Sequence, residues 1–178
     1  AQALQQQGRQ TQALGLLQSV LHDAPDNTAA LNGLGISLKV LGYIDDAVEV
    51  LMQAARLAPE SAEIQSNLAS ALALSGREEE AVGAYQRALR LDPDNVAMHG
   101  WYNSYLGVME HPDYLSSYRA RLTRSPGDAL FAVPLARKLL LNDRAAEAEQ
   151  VLETALQSSD DPAKVLSELS HIRRESGA

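Results

Sequence analysis

The sequence contains no cysteine and only one phenylalanine among its 178 residues. The absence of cysteine excludes disulfide scaffolds, thiolate zinc sites and cysteine nucleophiles. Ala and Leu supply 28 residues each, whereas Val and Ile together supply 14. Because β-branched and aromatic residues are the ones that favour strands, this composition predicts an all-α chain.

Basic residues are also scarce, and long apolar runs are absent. The 15 Lys and Arg are outnumbered by 23 Asp and Glu, which gives a formal charge of −8. Since phosphate contacts need clustered cations, no nucleic-acid partner is expected. No apolar run approaches the roughly 18 to 20 residues that span a bilayer, so no membrane insertion is expected. Without cysteine or a leader in this sequence, the expected location is cytoplasmic, with the periplasm as the alternative.

What the sequence does contain is a repeat with a period of 34 residues. Prolines recur at this spacing in the similar settings HDAPDN, RLAPES and RLDPDN. Three further columns share the period: Gly8, Gly42 and Gly76; Ala13, Ala47 and Ala81; Leu17, Leu51 and Tyr85.

Each period has the pattern of two helices joined by a turn. Apolar residues recur at helical spacing on both sides of Gly42. Glycine permits the backbone conformation of a tight turn between helices, and the proline of each period ends the second helix. Small residues at Gly35, Ala47, Ala69 and Ala81 allow the paired helices to approach closely.

These columns resemble the tetratricopeptide repeat family, whose pattern runs W-x2-L-G-x2-Y, then A-x3-F, then P. Two successive units carry the pattern: Leu31, Leu34, Gly35, Leu38, Ala47, Leu51 and Pro59; then Gln65, Leu68, Ala69, Leu72, Ala81, Tyr85 and Pro93. The resemblance implies an all-α, right-handed superhelical solenoid of antiparallel helix pairs, with about five repeats and a C-terminal capping helix.

On this pattern residues 1–178 form one repeat array. Its expected parts are a partial repeat at 1–27, repeats at 28–61 and 62–95, a divergent repeat at 96–128, a repeat at 129–162 and a capping helix at 163–178. Ala1 falls inside the first helix of its repeat, so we expect the chain to be a fragment of a longer protein.

No pattern in the sequence points to catalysis, a metal or a cofactor. The four histidines, at positions 22, 99, 111 and 171, lack metal-ligand spacing. No nucleophile elbow, phosphate-binding loop or dinucleotide fingerprint is present. The prediction is therefore a chain with no catalytic residue, metal or cofactor.

The family resemblance implies a concave face lined by the first helix of each repeat. The inward columns of that face supply the candidate binding residues Asn32, Ile36, Lys39, Glu63, Asn67, Ser70, Leu74, Trp101, Ser104 and Arg137. The family's carboxylate clamp, with its Lys, Asn and Arg, is absent as a set. Asn32 and Asn67 either hold the backbone of an extended peptide or are ordinary helix-surface residues.

Aromatic residues concentrate between positions 101 and 131, together with Arg119, Arg121 and Arg124. Trp, Tyr and Arg are typical of interface hot spots, and Trp101 is the best single candidate. The alternative is that Tyr102 and Tyr118 only fill space where the small-residue column is lost.

Three functions remain open at this point. The first is a noncatalytic scaffold that binds a peptide or a partner protein on the concave face. The second is the repeat region of a larger bacterial enzyme, resembling oxygenases or sulfotransferases, whose catalytic domain lies outside this sequence. The third is self-association through the ends of the array.

Overall fold

The computed structural model describes residues 2–111 and 113–176. Within these ranges it describes the side chains from position 11 onward. Within them lie ten helices and no strand. Their bounds are α1 Gln2–Asp23, α2 Thr28–Leu41, α3 Ile44–Leu57, α4 Ala62–Leu74, α5 Glu78–Leu91, α6 Val96–Val108, α7 Ser116–Arg124, α8 Ala129–Leu140, α9 Ala145–Leu156 and α10 Pro162–Ser176.

The helices belong to two compact units, Ala1–Asp94 and Asn95–Ala178. The first unit contains the pairs α2–α3 and α4–α5, and the second contains α6–α7 and α8–α9. In each unit the first helix of one pair also contacts the first helix that follows, as α2 contacts α4 and α8 contacts α10. The all-α fold of stacked helix pairs is therefore confirmed.

Four first helices begin in the same way, with an N-cap residue two positions after a proline. The N-cap side chain accepts a hydrogen bond from a backbone N–H of the first turn, which would otherwise lack a partner. The N-cap residues are Asn27, Ser61, Asn95 and Asp128. Proline and cap together end one pair and start the next.

The turn inside each pair places one residue in the left-handed conformation. Gly42 and Gly76 have φ values of 90° and 76°, and Glu110 and Asp143 occupy the equivalent places with 51° and 58°. At Gly76, the next amide, of Arg77, donates to the Leu72 carbonyl at 3.0 Å and closes the turn. The second unit has no glycine at these two turns, and Glu110 and Asp143 take the left-handed conformation instead.

The turn expected at Gly8 is wrong, because α1 runs through that position as one helix. The segments after Gly42 and Gly76 carry acidic residues that favour a new helix start, whereas residues 9–12, after Gly8, carry none, and α1 is rich in helix-forming glutamine. Ala1 lies outside the described residues, so its expected position within a first helix is not addressed.

Close packing within the first unit depends on the small-residue columns. A methyl group on Gly35 would lie 2.4 Å from Leu51 Cγ. Ala47, Ala69 and Ala81 are fully buried. The predicted close approach of paired helices is thus confirmed, and a side chain at Gly35 would force α2 and α3 apart.

The divergent pair α6–α7 departs from the pattern as expected. Helix α7 has 9 residues and no side-chain cap, and Leu115 before it has a φ of 66°. The small-residue column is occupied by Asn103, which is fully buried and donates to Ser117 Oγ at 2.7 Å and to the His99 carbonyl at 2.8 Å. A longer polar side chain at the helix contact replaces the usual small residue.

The aromatic cluster of this unit is mostly core. Tyr102, Tyr118 and Phe131 are each at most 2% exposed, and the His99 ring lies 4.9 Å from that of Phe131. The interface interpretation is therefore wrong for these three aromatics, which fill space, while Trp101 stays exposed.

Helix α10 packs through Val165, Leu169 and Ile172, which are buried. Glu168 is buried as well, whereas the other charged residues of this helix are exposed. It accepts two hydrogen bonds from Arg137 of α8, at 2.8 and 2.5 Å. The Arg137 guanidinium lowers the pKa of Glu168 chiefly through this hydrogen bond. Residues 177 and 178 of the expected capping helix lie outside the described residues.

Replacing Gly76 with alanine should destabilise the protein by about 1 kcal/mol, because an L-residue is strained at positive φ. The same change at Gly83, inside α5, should stabilise it by up to about 1 kcal/mol, since a methyl there meets only Arg87 Nη1 at 3.6 Å. Urea unfolding of Gly76→Ala and Gly83→Ala measures both, and equal free energies of unfolding would contradict the assigned turn.

The Arg137–Glu168 pair should make stability depend on pH. Because the folded-state pKa of Glu168 is lowered, its contribution is present above the unfolded value of about 4.3 and is lost as pH falls through the folded value. The stability difference between the wild type and Glu168→Gln should therefore shrink between pH 7 and pH 3. Glu175→Gln, an exposed change on the same helix, serves as control. A difference that does not change with pH would contradict the role of the pair.

Candidate functional site

Seven predicted residues of the first unit lie on the two adjacent first helices, α2 and α4, and form what we call the α2–α4 face. They are Asn32, Ile36 and Lys39 on α2 with Glu63, Asn67, Ser70 and Leu74 on α4. Hydrogen bonds between the two helices join five of them. The structure therefore brings these residues together as the sequence columns implied.

A polar row crosses the start of this face. Asn67 Nδ2 donates to Asn32 Oδ1 at 3.0 Å, and Asn32 Nδ2 donates to Glu63 Oε1 at 2.9 Å. Asn32 is only 8% exposed. Its amide mainly holds the two helices in register, whereas the half-buried Asn67 keeps a second N–H and its carbonyl oxygen for other contacts.

Two helical turns further along, Lys39 Nζ donates to Ser70 Oγ at 3.0 Å. Lys39 forms no ion pair within the described part of the chain, and burial lowers its pKa. A partly desolvated ammonium held only by a neutral hydroxyl attracts a carboxylate strongly.

Exposed apolar side chains lie at the ends of α2 and α4. Leu74, at the end of α4, is 61% exposed, and Val40, next to Lys39, is 45% exposed. Ile36 is half-buried between the two polar groups. The face therefore combines an amide, a carboxylate, an ammonium and exposed aliphatic carbon.

The contacts across the face join residues of different rank in the repeat. The bonds Asn32–Glu63 and Lys39–Ser70 join residues 31 positions apart, and the bond Asn67–Asn32 joins residues 35 positions apart, whereas the period is 34. Sequence columns alone did not reveal these pairings, because they align residues of equal rank in the repeat.

The three predicted residues of the second unit are placed differently. Trp101 is 56% exposed on α6, and Ser104 on the same helix accepts from Lys138 Nζ at 3.1 Å. Arg137 is engaged by Glu168, which raises the pKa of Arg137 through their hydrogen bond. The sequence columns did not select Lys138, because the preceding repeat, 96–128, is one residue shorter than the period and shifts the columns of α8 by one position.

The described residues show neither a metal-binding cluster nor a helix that could span a membrane. No group of three or more His, Asp or Glu side chains is arranged to hold a metal ion within the described ranges. Among the helices that the structure describes, none has the length and apolarity to cross a membrane.

Comparison with known proteins places these helices in a family. Residues 34–96 match the family model for the tetratricopeptide repeat. A crystal structure of MamA superposes with a TM-score of 0.64 at 20% identity, covering 98% of this chain and 95% of that one. YrrB, described as a TPR protein with an unusual peptide-binding site, gives a TM-score of 0.58 at 12% identity, covering 90% and 84%.

An O-GlcNAc transferase of Thermobaculum terrenum is similar over a shorter part of its length. It shares 30% identity over 75% of this chain, with a TM-score of 0.57, but only 24% of that chain is covered. No curated protein sequence matches this chain significantly. The 34-residue columns, the helix pairs, the family match over residues 34–96 and the shared fold together show that the chain contains tetratricopeptide repeats.

Proposed function

We propose that the chain is a noncatalytic interaction scaffold and that the α2–α4 face binds an extended peptide segment of a partner protein. The observation that carries this proposal is the half-buried Lys39 ammonium. It has no carboxylate partner among the described residues and donates to Ser70, one helical turn before the exposed Leu74. The description of YrrB supports peptide binding as a use of this fold, while the side chains here define the ligand.

The distance between the polar groups of the face sets the distance between the charged residues of the ligand. Asn32 and Lys39 are seven residues apart on one helix, a rise of about 10 Å. The same interval separates Glu63 from Ser70 on α4. Since an extended chain advances roughly 3.3 Å per residue, a peptide spans this distance in about three residues. The preferred segment carries a basic residue near Glu63 and an acidic residue about three positions away, near Lys39.

Asn67 and Leu74 complete the recognition. The remaining N–H and carbonyl oxygen of Asn67 can pair with one peptide unit of the ligand backbone. Leu74 and Val40 provide aliphatic surface for a leucine next to the acidic residue. Helices already fixed by their own hydrogen bonds bind with little ordering cost.

A second candidate function is presentation of substrate segments to a catalytic domain encoded in the same gene. The 30% identity with the O-GlcNAc transferase favours it, although only 24% of that chain is covered. It also directs attention to a glycosyltransferase instead of the oxygenases or sulfotransferases suggested by the sequence. Reading the complete gene tests it: an adjoining catalytic domain supports this function, and an open reading frame confined to repeats counts against it.

Removing the Lys39 charge should weaken peptide binding about tenfold, the usual cost of losing a partly buried charge-assisted contact. The probe is a fluorescein-labelled heptapeptide with a Lys and a Glu three positions apart and a Leu beside the Glu. Fluorescence anisotropy measures its Kd for the wild type and for Lys39→Met.

Two matched changes control for loss of charge alone. Lys164→Met removes an exposed ammonium from α10, and the probe with Gln in place of Glu lacks the carboxylate. Lys164→Met should bind the first probe as tightly as the wild type does. The wild type should bind the Gln probe more weakly than the Glu probe, whereas Lys39→Met should bind the two probes equally. Equal Kd values for the wild type and Lys39→Met with the first probe would contradict the proposed face.

A further inference from the structure

The first helices of the second unit, α6 and α8, carry exposed side chains that form a surface of their own. On α6 these are Trp101, Ser104 and Val108, which lie three and four positions apart and therefore on one side of the helix. Trp101 is 56% exposed and Val108 is 85% exposed. Lys138 of α8 reaches this side of α6, and Leu130 of the same helix is 51% exposed. We call these residues the α6–α8 face.

The ammonium group of this face has no carboxylate partner in the described part of the chain. Lys138 Nζ donates to Ser104 Oγ at 3.1 Å. The neighbouring Arg137 is engaged by Glu168 and adds no free cation. Ser104 lies 34 positions after Ser70, and in each unit this serine holds a lysine through a neutral hydroxyl. A carboxylate that reaches Lys138 therefore gains a charge-assisted hydrogen bond without breaking an ion pair.

A proline inside α8 provides a backbone acceptor near the start of the same helix. Pro134 has no amide hydrogen, so the carbonyl of Leu130, four residues earlier, lacks the N–H that a helix normally supplies. Pro134 is half-buried and Leu130 is exposed. A backbone N–H of a bound segment can donate to this carbonyl, in addition to the side-chain contacts.

We propose that the α6–α8 face is a second binding site, which takes an extended segment of a partner protein with a Glu two positions from a Phe. The Phe ring packs on the exposed indole of Trp101, and the Glu carboxylate pairs with Lys138. The site belongs to other helices than the α2–α4 face and takes a different ligand. It therefore goes beyond the proposed function and stands or falls separately.

The spacing of the ligand follows from the spacing of the face. Trp101 precedes Ser104 by one helical turn, a rise of about 4.5 Å. An extended segment advances roughly 3.3 Å per residue, and its alternate side chains point to the same side. Two positions are thus the shortest separation that directs both the Phe and the Glu towards the face.

The test uses the fluorescence of Trp101, which is the one tryptophan of the chain and so reports on this face alone. The ligand is the heptapeptide SEAFAES, blocked at both ends so that it has no terminal carboxylate. Its Glu residues lie two positions from the Phe in either chain direction. Titration should change the fluorescence of the wild type saturably. A peptide with Ala in place of Phe should bind about tenfold more weakly.

A charge deletion with a matched control tests the ammonium. Lys138→Met should raise Kd about threefold or more at low salt and less at high salt, as expected for a solvent-accessible charge. It should also bind the peptide with Gln in place of both Glu as tightly as SEAFAES. Lys164→Met removes an exposed ammonium from α10 and should leave Kd unchanged. Circular dichroism melting verifies that both variants are folded.

Four results would overturn the proposal. The first is no saturable change in Trp101 fluorescence. The second is equal binding of SEAFAES by the wild type and Lys138→Met. The third is weakening by Lys39→Met but not by Lys138→Met, which would assign the peptide to the α2–α4 face. The fourth is a change in Trp101 fluorescence with protein concentration alone, since this would assign the face to a second copy of the chain.

Discussion

The close contact between the paired helices of the first unit is the constraint on which the α2–α4 face depends. Gly35 lies against Leu51 so tightly that no side chain fits between them, and the alanines of the same columns are fully buried. A pair that packs this closely has one register. Repeating the same small residues every 34 positions therefore repeats the same pair, and the neighbouring first helices meet in a fixed geometry.

That geometry creates the α2–α4 face. Because the contacting residues are 31 or 35 positions apart rather than 34, side chains from different columns meet: Asn32 meets Glu63 and Asn67, and Lys39 meets Ser70. A carboxylate and an ammonium are thereby held about two helical turns apart with an amide beside the first. Binding specificity in such a scaffold comes from which side chains occupy a conserved arrangement of helices, and not from the fold itself.

Much of this organisation could be predicted from the sequence, because glycine, proline and alanine have distinct steric roles that recur at a fixed period. Residues that depart from those roles could not. Glu110 adopts the left-handed turn without being glycine, and Gly8 does not form one despite being glycine. Asn103 and the buried Glu168 are polar residues in core positions, and only their partners, Ser117 and Arg137, explain them. For the candidate site, the columns placed residues on two neighbouring helices, but which of these side chains pair, and the tight engagement of Asn32, needed coordinates.

A peptide bound on the α2–α4 face must contact Asn67, whereas Asn103 lies in the second unit and is not part of this face. An NMR titration of the ¹⁵N-labelled protein with the Lys- and Glu-bearing heptapeptide, following the side-chain amide signals of the asparagines, tests this contact. The Asn67 side-chain signal should shift saturably, together with backbone signals of α2 and α4, while the Asn103 side-chain signal should not move. Saturable shifts confined to other helices, with Asn67 unchanged, would contradict binding at this face.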